Sequence, residues 1–542
     1  MHKAEWFAFL LSLAGVIAAY LVAIRVFEAV PHVEDEMAYV WQAKALARGD
    51  LTVPTPPEPQ SMQIPFVVDA NGHRSAKYPP GWPMVLALGT LLGIRTWVNP
   101  LLAGLTVWLT FRLGQKICNT VVGLLAAVLT LSSPFYLLNS GSLDSHPWSL
   151  ILSLIFILAW LDTFPLRFQA GSASKQPVPA WLMVCVAGLS LGLLVLTRPL
   201  TAIGVGLPSF VHGLVLLFRG DARVRRRVLA VGTVALLVGS LFLVWQFAVA
   251  GNPFTDPYTL WWNFDRIGFG PGIGLEPGGH TLLHGIQNAG SMLSDLNKDL
   301  FGWAGFSWIF LPFGLWALHR NRAAWLLMGI FSALVICYVF YWASVLRYGP
   351  RYYYEGVYAL TLISAAGIVW LAGSFTVQGW RRLRFFVAGI VTAALVGYNL
   401  AAYLPTRLDQ IYGLYGIHRS QMSPFLTSPA RAKTPALVIV HTQKSWTEYA
   451  GLLELENPWL TSPFIFAWSN NGSVNDSVLA SLYPARQIIY YYPGQSDQLY
   501  TVPISTSRFY NSGLSSTGVF RRQVRANRAT NTTIPISAAR TE

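Results

Sequence analysis

A chain of 542 residues with 53% hydrophobic and 11% charged residues, and a mean hydropathy of +0.44, falls outside the water-soluble globular class and reads as a polytopic α-helical membrane protein. Its net charge of +14 does not point to nucleic acid, because the basic residues sit in short clusters between apolar runs, as a positive-inside bias requires. The three cysteines, Cys118, Cys185 and Cys337, lie in or beside predicted spans, which leaves no disulfide framework and no cysteine metal site for the exposed regions.

The first apolar run, residues 6–27, is too long for a signal h-region and lacks a small-residue cleavage site, so it reads as a retained helix. Further runs follow at 97–113, 121–138, 148–164, 180–196, 200–218, 228–250, 301–318, 323–346, 353–371 and 385–403. Together they give about eleven spans, at roughly 20 residues each. Residues 81–94 are short for a crossing and suit a juxtamembrane helix in the interface. With that segment outside the count, the loops carrying Arg112 and Lys116, Arg167 and Lys175, Arg219 to Arg227, Arg320 and Arg322, and Arg381 to Arg384 share one face. The expected topology is a multi-pass protein of the cell membrane with a cytoplasmic amino terminus.

On that topology residues 1–404 form a membrane domain whose external face carries a first loop, 28–96, and a second, 251–300, with a Gly-rich stretch at 268–279 that reads as a mobile lid. Residues 405–542 form an extracytoplasmic region richer in Ser, Asn, Thr, Gln and Pro. Strand-like runs at 436–441, 464–468 and 487–492, with a helical stretch at 475–483, predict a small α/β domain. The final ~20 residues read as disordered.

The candidate chemistry lies at the external ends of the spans. Glu34, Asp35 and Glu36 follow His32 directly after the first span, and three adjacent carboxylates repel one another unless a compensating charge is near. Lys77 precedes a rigid Tyr78-Pro79-Pro80-Gly81-Trp82-Pro83 segment, where a lysine either meets a lipid phosphate or anchors in the aromatic belt. Asp144 and His146 share a turn, where they cap the following helix or contact a sugar; as a pair they make an incomplete metal site. Arg351 and Tyr352, within Gly349-Pro350-Arg351-Tyr352-Tyr353, combine a guanidinium fork suited to phosphate with rings suited to a sugar. Arg198 lies near the outer end of its span, where a charge is costly unless paired or snorkelling. No P-loop, dinucleotide fingerprint or H-E-x-x-H is present, which gives a cytoplasmic nucleotide donor no support.

Asp35-Glu36-x-x-Tyr39, the Lys77 to Pro83 segment, Arg112-Leu113-Gly114 and Gly349 to Tyr353, in that order, resemble the GT-C class of membrane glycosyltransferases, in particular bacterial relatives of protein O-mannosyltransferases and of the lipid A aminoarabinose transferase, glycosyltransferase family 39-like. The resemblance implies a bundle of roughly eleven to thirteen helices with juxtamembrane helices, a polyprenyl-phosphate sugar as donor and co-substrate, and transfer outside the cytoplasm to a lipid, glycan or protein hydroxyl. It also implies that the acidic motif supplies the base. Asn99 stands where relatives often carry an Arg, so the donor-phosphate contacts do not transfer whole.

The expected reaction is an inverting transfer with Asp35 as base and Glu36 positioning acceptor or donor. Lys77, Arg351 and Tyr352 would hold the donor lipid phosphate, and His32, Tyr39, Asp144 and His146 are candidate substrate contacts. No cofactor or metal is expected, since no residue pattern supports a divalent ion. A lipid-linked glycan flippase would instead place ionisable residues at the midplane of repeated halves, and here they concentrate at span ends. A membrane scaffold working through its tail is the third class.

Overall fold

The computed structural model describes residues 3–166, 179–344, 347–373, 378–442, 446–469, 476–493 and 498–503. Arg167, Lys175, the side chain of Arg381 and the carboxy-terminal segment read as disordered lie outside the described residues.

Helix α1 (Lys3–Arg25) leads to α2 (Glu34–Leu46) and α3 (Gly81–Leu91), and between the latter two a three-stranded antiparallel sheet is formed by β1 (Val53–Pro54), β2 (Val67–Ala70) and β3 (His73–Ala76), with β3 central. Then come α4 (Val98–Ile117), α5 (Thr120–Ser132), α6 (Pro134–Gly141), α7 (His146–Thr163), α8 (Ala180–Val195), α9 (Pro199–Arg219), α10 (Ala222–Gly239) and α11 (Leu241–Ala250). The segment that follows holds the short α12 (Tyr258–Trp261) and the 18-residue α13 (Leu282–Asp299). Helices α14 (Leu311–Ala317), α15 (Arg322–Val339), α16 (Val357–Leu371), α17 (Gln378–Tyr398) and α18 (Leu404–Ile411) complete the bundle.

Among the described residues seven helices are long and apolar enough to cross a membrane, or eight when α5 and α6 count as one broken span. The expected run at 121–138 breaks because Pro134 has no N–H to continue the ladder; the chain bends by 62°, and the Ser133 hydroxyl accepts the freed N–H of Tyr136 at 3.1 Å. The expected run at 301–318 is helical only over α14, since Gly302, Ala304 and Gly305 take left-handed backbone at φ 67°, 51° and 89°. Helix α3, 11 residues long, matches the short juxtamembrane helix. Its Gly81 N–H donates to the Leu196 carbonyl at 2.8 Å, an approach that a Cβ would block, since it would lie 2.6 Å from that oxygen.

The two ends of the bundle are chemically distinct. At one end Arg112 pairs with Glu5 at 3.7 Å, and Asn321 donates to the Ile117 carbonyl at 2.9 Å, bringing the starts of α1 and α15 to the end of α4. The other end carries α2, α3 and the turn before α7. There the chain beyond α18 forms a four-stranded sheet, with β4 (Ala436–His441) between parallel partners β5 (Phe464–Ser469) and β6 (Gln487–Tyr491), and β7 (Leu499–Tyr500) antiparallel on β6. This sheet shares one continuous core with the segment between α1 and α4: Met37, Trp41, Tyr78 and Trp82 join Phe425, Val438, Trp446 and Phe466. Polar ties reinforce the join, with the Lys44 ammonium donating to the carbonyls of Leu453, Glu454 and Glu456 at 3.1, 3.2 and 2.8 Å.

Candidate active site

The site begins at the first turn of α2. Val33 is the extended residue before the helix, and Glu34, Asp35 and Glu36 fill its first turn, where free N–H groups and the positive helix end favour carboxylates. Glu36 is buried and reaches back as a brace. It accepts from the His32 N–H at 2.7 Å, the Val33 N–H at 3.4 Å, the Leu143 N–H at 2.9 Å and the Tyr348 hydroxyl at 3.4 Å. Burial first, and the charge of Asp144 after it, outweigh these donors and push its pKa up to about 7.

Asp35 faces the other way. One carboxylate oxygen accepts from the Tyr78 hydroxyl, and the other pairs with the Arg351 guanidinium at 2.7 Å. Its side chain keeps 18% exposure, so it alone of the pair is open to a substrate. Burial would raise its pKa, but Arg351, Tyr78 and Lys77 together prevail and hold it below the ordinary carboxylate range. Glu34 is half-buried, and burial followed by the Asp35 charge raises its pKa.

Arg351 forms an ion pair with Asp144 through its second terminal nitrogen, so one guanidinium sits between two carboxylates and offsets their charge. Asn99 fixes the turn that presents Asp144, donating to the carbonyls of Ser142 at 2.8 Å and Asp144 at 3.0 Å. Among the described residues no group of three His, Cys, Asp or Glu side chains is arranged to hold a metal.

Behind this pair lies a second cluster. His146 Nδ1 lies 2.9 Å from Glu355, both fully buried, and Arg198 approaches Glu355 at 3.8 Å. Arg198 is the loosest cation of the site: its contacts to Ser145 at 3.2 Å, Thr201 at 3.4 Å and Tyr338 at 3.4 Å are long, and its side chain is 15% exposed. Tyr39 donates to or accepts from the Ser145 hydroxyl at 3.2 Å, and Tyr352 stacks on Tyr338 at 4.4 Å.

Lys77 is not free for a lipid phosphate. Its buried ammonium pairs with Asp265 at 3.0 Å and lies 3.7 Å from the Phe66 ring centre and 4.9 Å from those of Tyr258 and Trp262. Asp265 in turn accepts from the Tyr341 hydroxyl at 2.7 Å and the Trp342 indole at 3.0 Å. His32 is likewise engaged within the protein. Its ring is fully buried between the carbonyls of Val30 at 2.9 Å and Ile417 at 3.1 Å, where burial holds its pKa down and it joins α2 to the chain beyond α18.

The structure thus brings Asp35, Tyr39, Asp144, His146, Arg351 and Tyr352 into one cluster, gives Glu36 a bracing place and holds His32 and Lys77 aside. Sequence reasoning missed Asp265, which lies in a loop without a motif, and Glu355, whose signal was its place directly after the Arg-Tyr-Tyr-Tyr run.

Residues 83–251 match the family model described as oligosaccharyl transferase STT3, N-terminal. The ArnT structure from Cupriavidus metallidurans bound to undecaprenyl phosphate aligns at a TM-score of 0.53 and 13% identity, covering 89% of this chain and 89% of that one. Its apo state aligns at 0.54 and 14% identity, over 88% of each chain. The apo oligosaccharyltransferase of Archaeoglobus fulgidus gives 0.49 and 12%, over 88% of this chain and 69% of that one. No curated protein matches the chain.

A multi-pass helical membrane protein with a buried polar site at one end of its bundle is therefore the class that fold and site define. Within that class, the chain has the GT-C membrane glycosyltransferase fold.

Proposed function

We propose that the protein is an inverting glycosyltransferase that moves a sugar from a polyprenyl-phosphate donor to a hydroxyl acceptor at the extracytoplasmic face of the cell membrane. Asp35 carries this reading: an ionised, partly open carboxylate oriented from both sides at the start of α2. Undecaprenyl phosphate bound to the ArnT structure supports the donor class.

In the proposed step the acceptor hydroxyl attacks the anomeric carbon opposite the phosphate, Asp35 takes its proton, and the C–O bond to phosphate breaks with inversion. Arg351 and Tyr78 hold Asp35 in place. Arg198, backed by the hydroxyls of Ser145, Thr201 and Tyr338, receives the negative charge on the departing polyprenyl phosphate. Lys77, already paired with Asp265, shapes the external loop instead.

We also propose eleven crossings, with α4, α8 and residues 301–317 completing those counted above. The amino terminus would be cytoplasmic, residues 1–404 the catalytic membrane unit and residues 405–542 an extracytoplasmic unit. The transferred group would be a hexose or pentose and the acceptor a lipid, glycan or protein. The test is incubation of proteoliposomes with a panel of polyprenyl-phosphate sugars and envelope acceptors, with product configuration read by NMR. Release of polyprenyl phosphate and an inverted linkage support the reading; no release from any donor, or a retained linkage, overturns it.

A further inference from the structure

Helix α7 starts at the active site, α8 returns to it, and α9 leads away again, so the start of α10 lies at the opposite end of the bundle. There α8 and α10 part to form a groove of about 720 Å³, lined by Trp181, Val184, Arg223, Arg226, Arg227 and Ala230. Deeper along the same seam the two helices are in tight contact: a Cβ on Gly188 or Gly192 would come within 2.6 Å of the Cβ of Val234 or Val238. The groove therefore has a fixed floor.

Positions 223, 226 and 227 follow i, i+3, i+4 spacing and share one face of α10, where three like charges repel one another. Among the described residues none of the three makes an ion pair within 4 Å; Asp221 caps the helix, accepting from the Val224 N–H at 2.8 Å, and its charge offsets those of Arg223 and Arg227 in part, leaving the groove net positive. Outside the groove the two helices expose apolar residues, with Leu182, Leu189, Leu229 and Leu236 exposed by 38, 44, 58 and 75%. Trp181, 68% exposed, stands at the rim, as expected of a ring at a membrane interface.

We propose that this groove binds the headgroup of an anionic phospholipid. The phosphodiester would be held by the guanidiniums of Arg223, Arg226 and Arg227, with the acyl chains along the exposed apolar residues of α8 and α10. A positive-inside charge bias explains basic residues in a loop, but not the convergence of three of them on one groove between α8 and α10. Guanidinium forks suit phosphate oxygens, and the volume lies within the range of small-ligand pockets. The site is separate from the transfer reaction and stands whether or not that reading holds.

Native mass spectrometry of the detergent-purified full chain, titrated with phosphatidylglycerol or phosphatidylcholine, tests the assignment. The expected result is one tightly retained phosphatidylglycerol more than phosphatidylcholine. That excess is lost in an Arg223→Gln/Arg226→Gln/Arg227→Gln variant and kept in part by the corresponding triple Lys variant. Equal retention of the two lipids, or unchanged phosphatidylglycerol binding by the Gln variant, overturns the proposal. So does equal thermal protection by inorganic phosphate alone. Should the Gln variant fail to insert, a photoactivatable phosphatidylglycerol on the unaltered protein decides: labelling within 180–184 and 222–230 supports the site, and labelling confined elsewhere contradicts it.

Discussion

Adjacent carboxylates in the first turn of α2 point about 100° apart around the helix and enter different surroundings. Asp35 meets a cation and a partly open space, whereas Glu36 is enclosed by four donors. Because the folded pKa of Glu36 lies near 7, above its ordinary 4.5, the folded state binds its proton more tightly than the unfolded state. Its contribution is complete below pH 4.5 and is lost as pH rises through about 7, an effect on the order of 3 kcal/mol. Thermal melts should show stability declining over that window, with a shallower decline in Glu36→Gln. The buried Lys77–Asp265 pair gives a second residue-scale outcome. Asp265→Asn strands a buried ammonium and should cost about 3–5 kcal/mol, whereas Lys77→Met with Asp265→Leu should recover most of that in the same melts.

At the scale of elements, α2 is held on its site by the chain that follows α18. Lys44 crosses to three carbonyls and His32 to a fourth, while Glu28 accepts from the Arg419 N–H at 2.6 Å. Lys44→Met should therefore lower stability by roughly 2 kcal/mol and expose residues after 412 to limited proteolysis sooner than the unaltered chain. These long-range ties were not legible in the sequence, where Lys44 stands outside any motif. The apolar runs were legible, because lipid demands about 20 apolar residues per crossing whatever the tertiary fold. Breaks within them were less so: Pro134 signals one openly, whereas left-handed Ala304 carries no such mark. Helix α13 went unread although Gly285, Ala289, Met292 and Leu296 recur at helical spacing, since its polar face masks it in an average over the loop. Of the site, Asp35, Asp144 and Arg351 stood in recognisable words, while Asp265, separated from Lys77 by 188 positions, became visible only through folding.

For the molecule as a whole, the described basic loops gather at one end of the bundle and the polar site at the other, the asymmetry a positive-inside bias would produce. A membrane-impermeant maleimide should then label His73→Cys, exposed on β3, in intact cells and reach Arg225→Cys, exposed on α10, only after permeabilisation. The reverse pattern would invert the topology and place the site in the cytoplasm. The shared core of the segment between α1 and α4 and the β4–β5–β6 sheet means that neither part buries its apolar face alone. The most direct test of the central claim is polyprenyl-phosphate release by Asp35→Asn in proteoliposomes, with melting temperature measured on the same preparation. Asparagine keeps the shape and the contact to Tyr78 but cannot take a proton, so the rate should fall by about 10²-fold or more. The variant should still melt cooperatively, since Arg351 keeps Asp144, at a temperature lowered by the lost Arg351 pair. Activity within a few-fold of the unaltered protein would contradict the assignment of Asp35 as the base.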